Sequence, residues 1–237
     1  MAGRSVIITG AARSVGAACA KRFAAAGDRL VLADSDEAGG TAIAYDLKEK
    51  GAEVAFVHAD VSNRLDVHNV VAEAIDAFER IDVLAHTVVT QFSAPFFETS
   101  EEDFDRVVSA NIRGAFLINQ AVAKQFVRQA ENADKEIAAG VIVNIGSVEA
   151  VTAAADHVAF AASQGGLHQL TKAVALALSP YGVRVNAVGV GAIKGALGEA
   201  SEQRRLRNAT PLKRIGDPEE VAEVVFFLAS QGASYVT

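Results

Sequence analysis

A chain of 237 residues, 51% of them hydrophobic, is long enough to bury one sizeable core, yet it holds no apolar run near the roughly 18 residues that a membrane helix needs. A formal charge of −7 argues against a nucleic-acid or anionic-membrane partner. Cys19 is the one cysteine, which excludes an internal disulfide and a cysteine metal cluster.

The first strand is expected at once, over residues 5–9, which leaves no room for a signal or transit peptide and predicts a cytoplasmic protein. From there, short β-branched runs alternate with longer stretches of helical spacing. Strands are predicted around 6–8, 30–32, 54–57, 83–85, 141–143 and 183–185, with helices over 15–26, 39–50, 66–78, 112–129 and 158–178. Most of the strand runs are continuously apolar, the pattern of strands buried on both faces of a parallel sheet. Cys19 falls in an Ala-rich helical stretch and reads as a small buried hydrophobe. Ser100 with Asp103 forms a capping-box signal, and Asp217 before Pro218 reads as an N-cap followed by a first-turn proline. The polar stretch 131–136 reads as an exposed loop before the fifth strand. With no linker or repeat, residues 1–237 are expected to form one domain. Its fold is α/β, a doubly wound parallel sheet of Rossmann type in a three-layer sandwich, with strand order 3-2-1-4-5-6.

Thr9-Gly10-Ala11-Ala12-Arg13-Ser14-Val15-Gly16 follows the first strand and opens the first helix. A glycine-bearing turn there lets backbone N–H groups face a pyrophosphate; the alternative is a tight turn with no ligand. Asp34 ends the second strand, near the expected distance of about 20 residues, where a carboxylate accepts hydrogen bonds from ribose hydroxyls. Its other reading is a helix N-cap.

These residues resemble the short-chain dehydrogenase/reductase family, particularly its bacterial β-ketoacyl-carrier-protein-reductase-like members, over nearly the full length. The family's T-G-x-x-x-G-x-G turn is matched by Thr9, Gly10 and Gly16, with Ser14 in place of the middle glycine. Asp60-Val61 matches the pair at the adenine ring, Asn111 the buried helix asparagine, and Val143-Asn144-Ile145-Gly146-Ser147 the strand leading to the catalytic serine. Later landmarks are Tyr181-Gly182-Val183-Arg184-Val185-Asn186 and residues 211–222. The resemblance implies a dinucleotide held by Gly10, Arg13, Ser14, Val15, Gly16, Asp34, Asp60, Val61, His86, Gln164 and Ile193. Arg13 occupies the position from which NADP-using members hold the 2′-phosphate, whereas Asp34 would repel it. NAD is favoured over NADP because a carboxylate opposite a dianion outweighs a flexible, exposed arginine.

The resemblance breaks where the chemistry belongs. Family members carry a tyrosine thirteen residues after the serine and a lysine four residues later; from Ser147 those positions hold Phe160 and Gln164. A tyrosine, with a pKa near 10, exchanges a proton near neutrality only if a cation lowers that value. Phenylalanine has no proton to give and glutamine no charge. The Asn-Asn-Ala-Gly after the fourth strand has become His86-Thr87-Val88-Val89, Pro-Gly has become Val190-Gly191, and a threonine has become Gly195. Asn111 and Ser147 remain as catalytic candidates, each with a structural alternative: fixing a helix bend, or capping a turn. His157, one turn before Phe160, and His86 are weaker candidates for a replacement acid.

Residues 192–210 correspond to the family's substrate loop and carry Lys194 and the Arg204, Arg205, Arg207 cluster; an exposed amphipathic helix is favoured over a lid for an acidic substrate. Family members continue past Thr237 into a last strand, without which the sixth strand is an edge that needs covering. The resemblance also implies pairing of helices 112–129 and 158–178 with a second subunit, giving a homodimer or homotetramer, or a hetero-oligomer with an active relative. The expected function is a nucleotide-binding subunit or sensor that has lost dehydrogenase activity. Against it stand an active NAD-dependent oxidoreductase with an unusual proton donor, and a structural partner without nucleotide.

Overall fold

Five consecutive residues without polar alternation, Ser5–Thr9, form β1 and are buried along their whole length. The computed structural model describes residues 3–132, 140–195 and 200–237. In it β1 is joined by β2 (Arg29–Asp34), β3 (Val54–His58), β4 (Val83–His86), β5 (Val141–Ser147) and β6 (Arg184–Val190). All five pairings are parallel, in the order β3-β2-β1-β4-β5-β6 expected from the sequence. Parallel neighbours need crossovers. The helices are α1 (Ser14–Ala25), α2 (Glu37–Glu49), α3 (Arg64–Phe78), α4 (Glu101–Val108), α5 (Gly114–Asn132), α6 (Val158–Leu178), α7 (Ala200–Ala209) and α8 (Pro218–Leu228).

Side chains alternate across the sheet and build a core on each face. Val6 and Ile8 pack with Cys19 and Phe23 of α1, Leu47 of α2 and Val225 of α8. Ile7, between them, faces the other way and packs with Val70 of α3, Ile118 and Phe126 of α5 and Leu178 of α6. Cys19 is fully buried, and burial pushes its thiol up to about 12, so it is an inert packing residue. Among the described residues no helix is long and apolar enough to cross a membrane.

Local chemistry sets several helix starts. Ser100 Oγ accepts the Asp103 N–H at 3.1 Å and opens α4. Asp217 and Glu220 form a capping box at α8, and both guanidinium nitrogens of Arg214 hold Glu220 at 2.6 Å. The Arg214 hydrogen bonds, helped by the Asp217 N–H, hold the Glu220 carboxyl down at about 2. Between α4 and α5 the chain makes a π-turn over Ser109–Arg113, so α5 begins at Gly114 rather than at 112.

Strands β5 and β6 run past the apolar triplets at 141–143 and 183–185, because backbone pairing continues to Ser147 and Val190 whatever the side chains. β6 pairs only with β5 among the described residues. Its other side meets the chain's last residues: Val185 N–H donates to Thr237 Oγ1 at 3.0 Å and Asn186 Nδ2 to the Val236 carbonyl at 2.9 Å. The basic cluster Arg204, Arg205, Arg207 sits at exposed positions of α7, the amphipathic-helix arrangement. Residues 196–199 of that stretch lie outside the described residues, as do 133–136 of the polar stretch at 131–136; Glu131 and Asn132 finish α5.

Phe126, fully buried between α5 and the sheet, tests this packing. Phe126→Ala keeps helix propensity and removes a ring, so urea denaturation should show a loss of about 3–5 kcal/mol. A loss under about 1 kcal/mol would mean that the site collapses freely, which a core of this kind does not do.

Candidate functional site

The strand order reverses between β1 and β4, and a cleft of about 490 Å³ opens at their C-terminal ends. Its floor is the turn from β1 into α1. Gly10 takes a left-handed φ of +72°, and a Cβ there would stand 2.9 Å from Thr87 Oγ1. A Cβ on Gly16 would overlap the Gly10 carbonyl oxygen. Thr87 Oγ1 donates to the Thr9 carbonyl at 2.7 Å, tying the exit of β4 to that of β1. The α1 N-cap, Arg13, makes no side-chain cap, and the first turn has no acidic residue. The first N–H groups of a helix have no intrahelical partner, so here they remain available to an anion. Ser14 accepts a left-handed φ of +48° in this turn.

Asp34 lines the cleft from the end of β2. Its Oδ2 accepts the Ala12 N–H and its Oδ1 the Asp36 N–H, both at 2.9 Å. The N-cap of α2 is Asp36, whose Oδ1 accepts the Gly39 N–H at 3.0 Å. Of the two readings of Asp34, the cap is thus taken by its neighbour. A carboxylate has about four acceptor positions, and two remain open. Arg13, at the exposed rim, pairs with Asp36 at 3.4 Å. Asp60 and Val61 line the same end, with Asp60 Oδ1 accepting the Ser62 N–H at 2.8 Å. Val15 and Ile193 also line the cleft.

At the other end, the ends of β4, β5 and β6 and the start of α6 supply the walls. Ser147 and Phe160 line the cleft. Ser147 Oγ accepts the Glu149 N–H at 3.2 Å, the turn-capping role. Three expected site residues lie away from the cleft. His86 is fully buried, with Nδ1 2.7 Å from Thr9 Oγ1, and its neighbour Thr87 reaches the cleft instead. Successive strand residues face opposite sides, and His86 takes the inner one. Gln164 is 1% exposed; its Oε1 accepts the Ser147 N–H at 2.9 Å, which directs the side chain to the end of β5, and its Nε2 is buried without a partner. Asn111, buried in the π-turn, accepts the Thr90 N–H at 2.8 Å and donates to the Thr90 carbonyl at 2.9 Å and to Ser163 Oγ at 2.8 Å. It fixes the helix bend and hangs the segment after β4 on α6. The sequence reading missed Val88, Val89, Thr90 and Gln91 as cleft walls. Their position after a strand end at the reversal point was the available signal.

A profile of the family described as enoyl-(acyl carrier protein) reductase matches residues 10–237. The chain belongs to the short-chain dehydrogenase/reductase family. L-rhamnose 1-dehydrogenase (NAD(P)(+)) of Azotobacter vinelandii is 31% identical, over 99% of this chain and 92% of its own length. An uncharacterized oxidoreductase of Thermotoga maritima is 29% identical over the same shares. The crystal structure of levodione reductase superposes with a TM-score of 0.91 at 32% identity, covering 99% of this chain and 93% of that one. The 3-ketoacyl-(acyl-carrier-protein) reductase of Brucella melitensis, complexed with NADH, gives 0.90 at 29%, with 99% and 94% covered.

Burial without a compensating charge lowers His86 from 6.5 to about 4. Between those values the unfolded chain binds a proton that the folded chain does not. Stability is therefore complete above pH 6.5 and falls as pH drops towards 4, by about 3 kcal/mol at ~1.4 kcal/mol per unit. Comparing urea midpoints at pH 7 and pH 4.5 should show this loss reduced in His86→Asn. Equal pH dependence in the two proteins would contradict the assignment.

Proposed function

We propose that this chain is an NAD(H)-binding member of the family whose carbonyl reduction is severely impaired. The observation that carries the reading is Phe160 and Gln164, each 1% exposed, at the two positions where the family keeps its proton donor and the cation that tunes it. Gln164 is tied to the Ser147 backbone, and the Phe160 ring forms cleft wall. General acid–base catalysis contributes about 10²–10⁴-fold, and that contribution is removed. When bound, a nicotinamide dinucleotide supplies hydride chemistry of its own.

The cleft suits such a ligand. Gly10 and Gly16 keep the turn tight, since a Cβ at either would collide with Thr87 or the Gly10 carbonyl, the start of α1 is free of side-chain caps, and Asp34 keeps acceptor capacity. Relatives that carry NAD(P)(+) in their name or NADH in their structure support the same ligand class. Asp34 and Asp36 stand together at the adenosine end, and Arg13 is engaged by Asp36, which favours NAD over the 2′-phosphorylated form. We read residues 1–237 as one dinucleotide-binding unit working in the cytoplasm as a homo-oligomer, with pairing to an active relative as a further form. On α6, Ala162 is exposed and Gly165 has open space around its Cα, while Gly166 packs on Ile112 within the same chain. The first two positions permit close approach of a second helix.

Calorimetric titration tests the binding half. ADP-ribose should bind within about tenfold of NADH, a gap of ~1.4 kcal/mol, because the adenosine side carries the grip. Gly16→Val should abolish both. NADH oxidation with β-ketoacyl esters and simple ketones should stay at a trace; robust turnover, or tight NADH binding with no ADP-ribose binding, would overturn the reading. Light scattering at micromolar concentration should give a dimer or tetramer, and a clean 24.7 kDa species would remove the oligomer from it.

A further inference from the structure

No side chain that lines the cleft from the ends of β4, β5 and β6 or from α6 titrates near neutral pH; the walls there are residues such as Thr90, Ser147, Phe160 and Ile193. A proton-carrying pair stands one layer back. His157, at the N-cap of α6, has Nδ1 2.7 Å from Glu149 Oε1, with side-chain exposures of 18% and 16%. Both partners connect to the cleft through one contact. The His157 ring meets the Phe160 ring edge-on, at 90° and 6.1 Å between centroids, and the Glu149 N–H donates to Ser147 Oγ.

A carboxylate on Nδ1 fixes the tautomer and leaves Nε2 as the nitrogen that gains and loses a proton. Among the described residues Nε2 has no hydrogen-bond partner. The second Glu149 oxygen, Oε2, is buried without a partner, so His157 is the side chain on which this carboxylate acts. The other charge acting on the imidazole is Asp156, the preceding residue, which Arg205 of α7 influences in turn. The Asp156 carboxyl is held below its usual range by its own backbone N–H, then by the Ser93 hydroxyl at 3.0 Å, with smaller effects of His157 and Arg205. From α6 the group in contact is the apolar ring of Phe160.

We propose that His157, oriented by Glu149, is the proton donor for the residual carbonyl reduction in this cleft. The proposal rests on the reading above that the cleft holds a nicotinamide dinucleotide. A carbonyl carbon gains a hydride from the reduced dinucleotide, which is oxidised. The carbonyl oxygen gains the proton of His157 Nε2, so the substrate leaves as an alcohol and the imidazolium becomes neutral imidazole, recharged from water. A donor set one helical turn behind the family's tyrosine position would give a slow reaction.

The test uses the whole protein with NADH and two activated carbonyl probes, isatin and ethyl acetoacetate. The trace rate should fall at least tenfold in His157→Gln and decline on the alkaline side of histidine's titration, with the limb moved to lower pH in Glu149→Gln. In the wild type, ¹⁵N resonances of His157 should show a protonated Nδ1, with Nε2 titrating at the midpoint of the rate profile. ADP-ribose binding should be unchanged in both variants, which shows that they fold. A rate within twofold of wild type in His157→Gln, midpoints that differ by a unit or more, or NADH binding with no rate above buffer would each overturn this assignment alone. Absence of NADH binding by the wild type would overturn the function reading, and this assignment with it. Should His157→Gln fail to fold, Glu149→Gln and the wild-type resonances decide.

Discussion

The close passage of the Gly10 carbonyl over Gly16 governs the rest of the site. To lie against the sheet that it follows, α1 must start within a few residues of the end of β1, and the turn has room only if Gly16 lacks a Cβ. That crowding brings the first turn of α1 to the mouth of the cleft, where its unpaired N–H groups face open space instead of solvated side chains. It also places Gly10 against Thr87, so the exits of β1 and β4, which lead to opposite flanks of the sheet, are pinned together by the Thr87–Thr9 hydrogen bond. Ser14 pays for the tight turn with a left-handed backbone, a strain of order 1 kcal/mol or more for a residue with a side chain. Its hydroxyl donates weakly, at 3.3 Å, to the Lys194 carbonyl, joining this turn to the segment that carries Ile193.

Much of the fold was legible because the signals behind it are local or periodic. Apolar triplets such as Val6-Ile7-Ile8 and Val141-Ile142-Val143 mark strands buried on both faces, and their alternation with helical stretches gives the crossovers. The caps at Ser100 and Asp217 are short-range chemistry and appear where their residues predict. The same continuity that marks a two-faced strand conceals which way its last side chain points. Val83-Leu84-Ala85-His86 has no polar alternation, so nothing in it says that His86 turns inward and Thr87 outward. Gln164 and Asn111 were misplaced for a different reason. Their partners, Ser147 and Thr90, lie 17 and 21 residues away and depend on how α6 and the π-turn pack. Asp34 had two readings in sequence, ribose acceptor or helix N-cap, and the second falls away only when α2 is seen to start from Asp36.

The two ends of the cleft are made of different materials. The adenosine end is built largely from backbone: a turn that needs small residues, the N–H groups of a helix, and one carboxylate braced by two amides. The chemical end is built from side chains, and there the chain departs from its family. A phenylalanine fits that position because ring packing needs no hydroxyl, and a glutamine fits because the Ser147 N–H needs an acceptor at the end of β5, which an amide oxygen supplies. Neither replacement disturbs the strand order, the cleft or the helix α6. On the proposed reading, proton chemistry is therefore separable from the fold in this architecture.

That separation also decides where any remaining proton must come from. Apolar, hydroxyl and amide groups wall the end of the cleft beyond Gly10, and none of them ionises near neutral pH. Water is one source, but it is a weak acid. An imidazole whose other nitrogen is held by a carboxylate is a better one, since its tautomer is fixed and its free nitrogen can carry a proton. The Glu149–His157 pair needs neither Phe160 nor Gln164 to form, because its parts come from the turn after β5 and the cap of α6. Under the proposed function the pair stands a single ring contact behind Phe160, and the rate it supports is set by how well it reaches past that ring.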